Sequence, residues 1–164
     1  NNVYFLPYLM GERSPHNDVD ARGAFIGISA DTSREQMSLA VLEGVAFALR
    51  DCTEAAKQSG LNIISTNICG GGARSAIWKN IIANVLNVDV CSLATEQGPA
   101  YGAAILAMTG AGEYKSIDDA VNNTVSVTSV VSPSPEIVEL YDKKYKVFRS
   151  LYPALKDIFH DMRA

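Results

Sequence analysis

The run Cys69-Gly70-Gly71-Gly72-Ala73-Arg74-Ser75 sets three consecutive glycines between an apolar stretch and a segment of helical periodicity. Without Cβ atoms, such a run lets a ligand lie against the backbone. A helix starting just beyond it offers free N–H groups and the positive end of its dipole. That is the chemistry of holding a phosphate or a nucleotide. The run fits neither common template, because it lacks the Gly-Lys-Ser/Thr ending of a P-loop and has Ser75 where the dinucleotide fingerprint has its last glycine. A tight strand-to-helix turn without a ligand is the plainer reading of the same residues. A second turn, Thr95-Glu96-Gln97-Gly98-Pro99-Ala100-Tyr101-Gly102-Ala103-Ala104, again leads from an apolar run into a helix. Pro99 suits the first helical position, and Ala100, Gly102, Ala103 and Ala104 keep one helix surface small enough for close packing. Ligands of open α/β sheets bind beyond the carboxyl ends of strands, so two such turns side by side predict a nucleotide-sized crevice.

Other reactive side chains have plainer explanations. Glu12, Arg13, His16, Asp18, Asp20 and Arg22 crowd one polar loop. Asp18 or Asp20 with His16 beside it could serve as a general base. A solvated loop held in shape by its ion pairs is the preferred reading. Glu43 and Asp51 read as ordinary helix-face carboxylates, and His160 as a surface residue. Cys69 reads as a buried strand residue behaving as a small apolar group, and Trp78 as core. The three cysteines, Cys52, Cys69 and Cys91, are widely spaced with no metal-ligand pattern, so no metal site is expected and a reduced, cytoplasmic setting is.

The elements that must position these turns follow from periodicity. Val3 to Leu9 and Ala24 to Ile28 read as strands, with Pro7 pushing the first to an edge or an end. Thr32 and Glu35 predict a capping box for a long helix with Met37, Val41, Val45, Ala48, Cys52 and Ala55 on its apolar face, the arc widened by Leu39, Leu42, Ala46 and Leu49, and closed by Gly60. Strand, helix, strand and helix then alternate over 63–69, 75–86, 88–93 and 99–108, which predicts parallel pairing through right-handed crossovers. A short helix near 116–121 precedes Thr124 to Val131, an edge strand or an extended connector. Ser134-Pro135 opens a final helix whose apolar face runs from Ile137 through Tyr141, Tyr145, Phe148 and Tyr152 to Phe159, kinked at Pro153.

Length and composition bound the function. At 164 residues, 48% hydrophobic and 20% charged, the chain suits a folded domain rather than a disordered one. A net charge of -4 argues against a nucleic-acid partner. No apolar run approaches the ~20 residues that span a bilayer, and the first residues resemble no signal peptide.

Several motifs in order resemble the FGGY carbohydrate kinases. Gly23-Ala24-Phe25-Ile26-Gly27-Ile28, then seven residues, then Gln36 to Glu43, is similar to that family's C-terminal signature. The segment Phe5 to Asn17, with Gly11-Glu12-Arg13-Ser14-Pro15-His16, resembles the xylulokinase branch more narrowly. The Gly70–Ser75 run with Trp78 resembles the family's adenosine motif, and Gln97 to Ala104 its following nucleotide-side turn. The resemblance implies an α/β, ribonuclease-H-like C-terminal domain of the actin, hexokinase and sugar-kinase superfamily, occupying 1–164 and lacking its first strand or strands. It implies transfer of the γ-phosphoryl of MgATP to the 5-hydroxyl of D-xylulose, with ATP and Mg2+ as cofactors and a pentulose as substrate. Gly71, Gly72, Ala73, Arg74 and Ser75 would lie against the nucleotide, supported by Gly98 and Gly102, with Arg13 facing the interdomain cleft. The catalytic base and sugar-binding residues are expected in an amino-terminal domain outside this sequence, so this chain should be inactive alone. A homodimer, or association with that domain, is expected. A kinase for another sugar or sugar acid (ribulose, gluconate or glycerol type) and a non-catalytic nucleotide-binding or dimerisation module remain the alternatives.

Overall fold

Tyr4–Leu6 (β1) pairs antiparallel with Ala24–Ile26 (β2), Phe5 opposite Phe25, in the computed structural model, which describes residues 2–95 and 98–162. The long helix Arg34–Gln58 (α1) begins one residue later than the Thr32–Glu35 spacing predicts. Ser33 is the cap: its hydroxyl accepts the Gln36 N–H at 3.3 Å, and Gln36 Oε1 accepts the Ser33 N–H at 2.9 Å. Thr32 is already engaged, its hydroxyl accepting the Ser29 N–H at 2.8 Å. Gly60 closes the helix as expected, at φ +89°, with the Gly60 and Leu61 N–H groups returning to Lys57 and Ala56 carbonyls.

Of the apolar arc that the spacing marks on α1, Ala46 is fully buried, but most of the buried face lies beside that arc. Ala40, Glu43, Gly44, Phe47 and Asp51 are buried, whereas Cys52 is exposed and its thiol donates to the Ser14 carbonyl at 3.1 Å. Gly44 is required by close approach, because a Cβ there would sit 2.1 Å from the Phe5 carbonyl oxygen of β1. Two carboxylates survive on this face because the last helix, Pro135–Asp161 (α5), brings partners to both. Lys144 pairs with Glu43, and the Tyr145 hydroxyl donates to Asp51 at 2.6 Å. The expectation of ordinary exposed carboxylates is corrected here.

Ser65–Ile68 (β3) and Asp89–Leu93 (β4) pair in parallel across the helix Ala76–Leu86 (α2), as the alternation predicts. After the helices Gly98–Gly110 (α3) and Ile117–Thr124 (α4), Val127–Val131 (β5) adds antiparallel to β4, so the Val-, Ser- and Thr-rich stretch is an edge strand. Pro135 opens α5 as predicted, but Ser134 makes no side-chain cap; its N–H is taken by Asn84 Oδ1 at 2.7 Å, which ties α5 to α2. The helix continues through Pro153, and Ile137, placed on the apolar face by spacing, is exposed. Tyr141, Tyr145, Phe148 and Tyr152 meet Phe47, Leu6, Tyr8 and the apolar side of α2 in one core.

Candidate functional site

The two glycine turns stand where the sequence puts them, at the carboxyl ends of neighbouring parallel strands. Gly70 follows β3 at φ +78°, a conformation that favours glycine, and Gly71–Arg74 then forms one turn of 3-10 helix. Ser75 caps α2, its hydroxyl accepting the Trp78 N–H at 3.2 Å. That oxygen is occupied by the cap, while its proton stays available to a ligand. Trp78 is half-buried and packs against the core, as expected, and its ring edge touches Gly72: a Cβ on Gly72 would lie 3.0 Å from Cδ1. Among the described residues, nothing lies within 4 Å of where a Cβ would stand on Gly71 or on Gly102. Those two positions leave open space above the backbone.

Contact between the turns is direct. A Cβ on Gly98, at the start of α3, would come 2.5 Å from Cys69 Sγ. Cys69 is therefore not the buried apolar residue expected; it is exposed and forms the seam between the turns. Glu96 and Gln97, quoted above as part of the second turn, lie outside the described residues. Ala100, Gly102, Ala103 and Ala104 are exposed rather than packed on a sheet, and Ile105 is the buried residue among those of α3. Tyr101 instead pins α3 to α4, its hydroxyl donating to the Thr124 carbonyl at 2.7 Å. Sequence reasoning passed over Lys79, whose Nζ reaches Ser92 Oγ at 3.1 Å on the strand that feeds the second turn. Its position one turn into the helix after the glycines was the signal available.

Arg13 is exposed in the loop between β1 and β2. The same loop is not merely solvated. Asp18 is buried, and its carboxylate accepts the Tyr152 hydroxyl at 2.7 Å and the Asp20 N–H at 2.8 Å, with His160 Nε2 at 3.0 Å. The Tyr152 hydrogen bond, helped by those of Asp20 and His160, holds the Asp18 carboxyl well below the usual carboxylate range. A carboxylate so saturated is a poor proton acceptor at neutral pH, and His16 is stacked on Tyr152 at 4.0 Å. These contacts anchor the loop to α5. They also account for the convergence of Asp18, Asp20 and His160 within 4.8 Å. Burial acts oppositely on Asp51, pushing its carboxyl up against the lowering effect of the Tyr145 hydrogen bond.

An α/β domain with two abutting small-residue turns at the carboxyl ends of parallel strands belongs to the ligand-cradling class of α/β folds. The family model for the FGGY family of carbohydrate kinases, C-terminal domain, matches residues 1–111, and the chain belongs to that family. It is 38% identical over 162 residues to a xylulose kinase of Staphylococcus epidermidis, covering 99% of this chain and 33% of that protein. The crystal structure of a xyloylose kinase from Brucella ovis superimposes with a TM-score of 0.87 at 37% identity, covering 96% of this chain and 32% of that one. A gluconate kinase structure from Lactobacillus acidophilus matches with a TM-score of 0.88 at 27% identity over 98% of this chain and 32% of its own. The fold is thus that of FGGY sugar-kinase C-terminal domains, and the chain spans about a third of the length of the curated relatives it matches. No helix among the described residues is long and apolar enough to cross a membrane.

Proposed function

We propose that these residues form the nucleotide-side domain of an ATP-dependent sugar kinase that transfers the γ-phosphoryl of MgATP to the 5-hydroxyl of D-xylulose. The observation that carries this reading is the seam between the turns: Gly98 against Cys69, with open space over Gly71 and Gly102. Adenosine lies along Gly71, Gly72 and Ala73, with Arg74 and the Ser75 hydroxyl beside it and Gly98 and Gly102 supporting it from the second turn. The N-terminus of α2 adds positive dipole to the same ledge. Such a transfer is mostly positioning and charge stabilisation. This chain's part is to bind and orient the nucleotide. The metal and the proton acceptor are assigned to an amino-terminal domain. Arg13 would face that domain across the cleft. We place the whole enzyme in the cytoplasm, in keeping with three unpaired cysteines. Pairing with the amino-terminal domain or with a second copy would cover the exposed β3 edge and α3.

A kinase for another sugar or sugar acid is the second reading, favoured by the equal fit of the gluconate kinase structure. A coupled assay of the full-length protein with D-xylulose, D-ribulose, gluconate and glycerol separates the two. Preference for D-xylulose by kcat/KM is expected, and preference for gluconate overturns the substrate while leaving the kinase. For the nucleotide ledge, Gly71→Val is the sharp test, because a Cβ there meets no heavy atom of the described residues within 4 Å. It should raise the KM for ATP with little change in melting temperature; an unchanged KM removes Gly71 from the site.

A further inference from the structure

Along the seam between α1 and α5 run two hollows that share Tyr145 and Arg149 as a common wall, of about 210 and 420 Å³. None of their lining residues belongs to the glycine turns. The larger is basic, bounded by Arg50, Lys146 and Arg149 with Asp142. The smaller is bounded by groups that bond hydroxyls, among them His16, Asp51, Glu54 and Gln58.

Arg50 is held in an unusual way. Its Nη2 donates to Asp142 Oδ1 at 2.6 Å, and its guanidinium lies 4.3 Å over the Tyr145 ring. Its Nε and Nη1 are buried with no hydrogen-bond partner, Nε coming only within 4.0 Å of Glu54. Buried donors left unpaired call for an explanation, and an ion or ligand is one of the standard ones. Arg149 adds a second guanidinium, its Cζ 5.9 Å from the centroid of the same ring. Planar guanidinium groups converging beside a lysine suit the oxygens of a phosphate. On the far side of Tyr145, Asp51 is 7% exposed and accepts the Tyr145 hydroxyl on Oδ1 at 2.6 Å.

We propose that this seam binds a small phosphorylated polyol, its phosphate on Lys146, Arg149 and Arg50 and its hydroxyls on Asp51, Gln58 and His16. The phosphate takes Arg50 over from Asp142 and turns the unpaired N–H groups toward itself. Tyr145 separates the two halves of the ligand and couples them, since its ring carries Arg50 and its hydroxyl orients Asp51.

Calorimetric titration of the full-length protein with glycerol 3-phosphate, inorganic phosphate and glycerol tests this. Glycerol 3-phosphate is expected to bind about tenfold more tightly than either of the other two. The double variant Lys146→Ala, Arg149→Gln, at exposed positions that should leave the melting temperature unchanged, is expected to weaken glycerol 3-phosphate and inorganic phosphate alike by about tenfold or more. Gln58→Ala should weaken glycerol 3-phosphate and leave inorganic phosphate as it was. An isotherm unaffected by the double variant, or no saturable binding in the millimolar range, overturns the site. Equal affinity for the two phosphates, unchanged by Gln58→Ala, overturns its polyol half.

Discussion

Where α1 meets α5, aromatic rings and buried charges interlock; around β3, α3 and β5, apolar side chains stand in the open. Phe47 and Phe148 are at most 1% exposed and their rings lie 5.2 Å apart, whereas Ile64 is 71% exposed, Leu106 58% and Val127 52%. The first region closes on itself. The second presents an unpaired strand edge at β3 and a helix apolar on nearly every side, the surface that a domain leaves for something else to cover. The glycine turns sit in that second region, so the candidate site belongs to the less self-sufficient half.

The comparison breaks first if the dense half can be loosened cheaply. Phe148→Ala should cost about 3–5 kcal/mol, read from denaturant melts. Glu43→Gln, which leaves the Lys144 ammonium buried without its partner, should cost about as much, roughly 3–5 kcal/mol. Where the two turns abut in the looser half, Gly98→Ala should cost about 1–3 kcal/mol by driving a methyl into Cys69. Cys69→Ala should recover part of that loss in a double-mutant cycle, because the sulfur is the nearer obstacle. The same melts should show Leu106→Ser and Val130→Ser within about 0.5 kcal/mol of the parent.

Acid titration sharpens the contrast inside the dense half. Asp18 has a lowered folded pKa, so its contribution to stability is present above the unfolded carboxyl range and is lost as pH falls toward the folded value. Asp51 has a raised folded pKa, so it costs stability at neutral pH and gives that cost back as pH falls through the folded value. Melting temperatures between pH 7 and acid should fall less steeply in Asp18→Asn than in the parent. Asp51→Asn, which still accepts from Tyr145, should melt at or above the parent at pH 7. Parallel curves for all three proteins would remove both assignments.

Local chemistry was readable from residue types, and long-range chemistry was not. The Gly60 cap, the parallel pair β3–β4 and the two turns side by side each depend on a few neighbouring residues, and each appears in the sequence. The buried state of Glu43 and Asp51 depends on Lys144 and Tyr145, about a hundred positions away, which no periodicity of α1 discloses. Spacing therefore put the buried face of that helix one strip aside. Asp18 was misjudged for the same reason, since Tyr152 and His160 reach it from the last helix. Cys69 reads as buried because it ends a predicted strand, but β3 is an edge strand and Cys69 is exposed just beyond its end. The small residues of α3 do predict close packing, and what they would pack on is not among the described residues.

The distant partners of α1 also bear on the order in which the chain can fold as it is made. Arg50, Glu43 and Asp51 meet Asp142, Lys144 and Tyr145, and each of these contacts spans 92 residues or more. Closing loops of that length is slow, and none can close until the last helix has been synthesised. During translation the buried face of α1 therefore waits, with two carboxylates and Phe47 uncovered, for almost the whole remaining length of the sequence. A stop codon before Asp142 would thus remove more than one helix: it would leave the first one permanently unfinished.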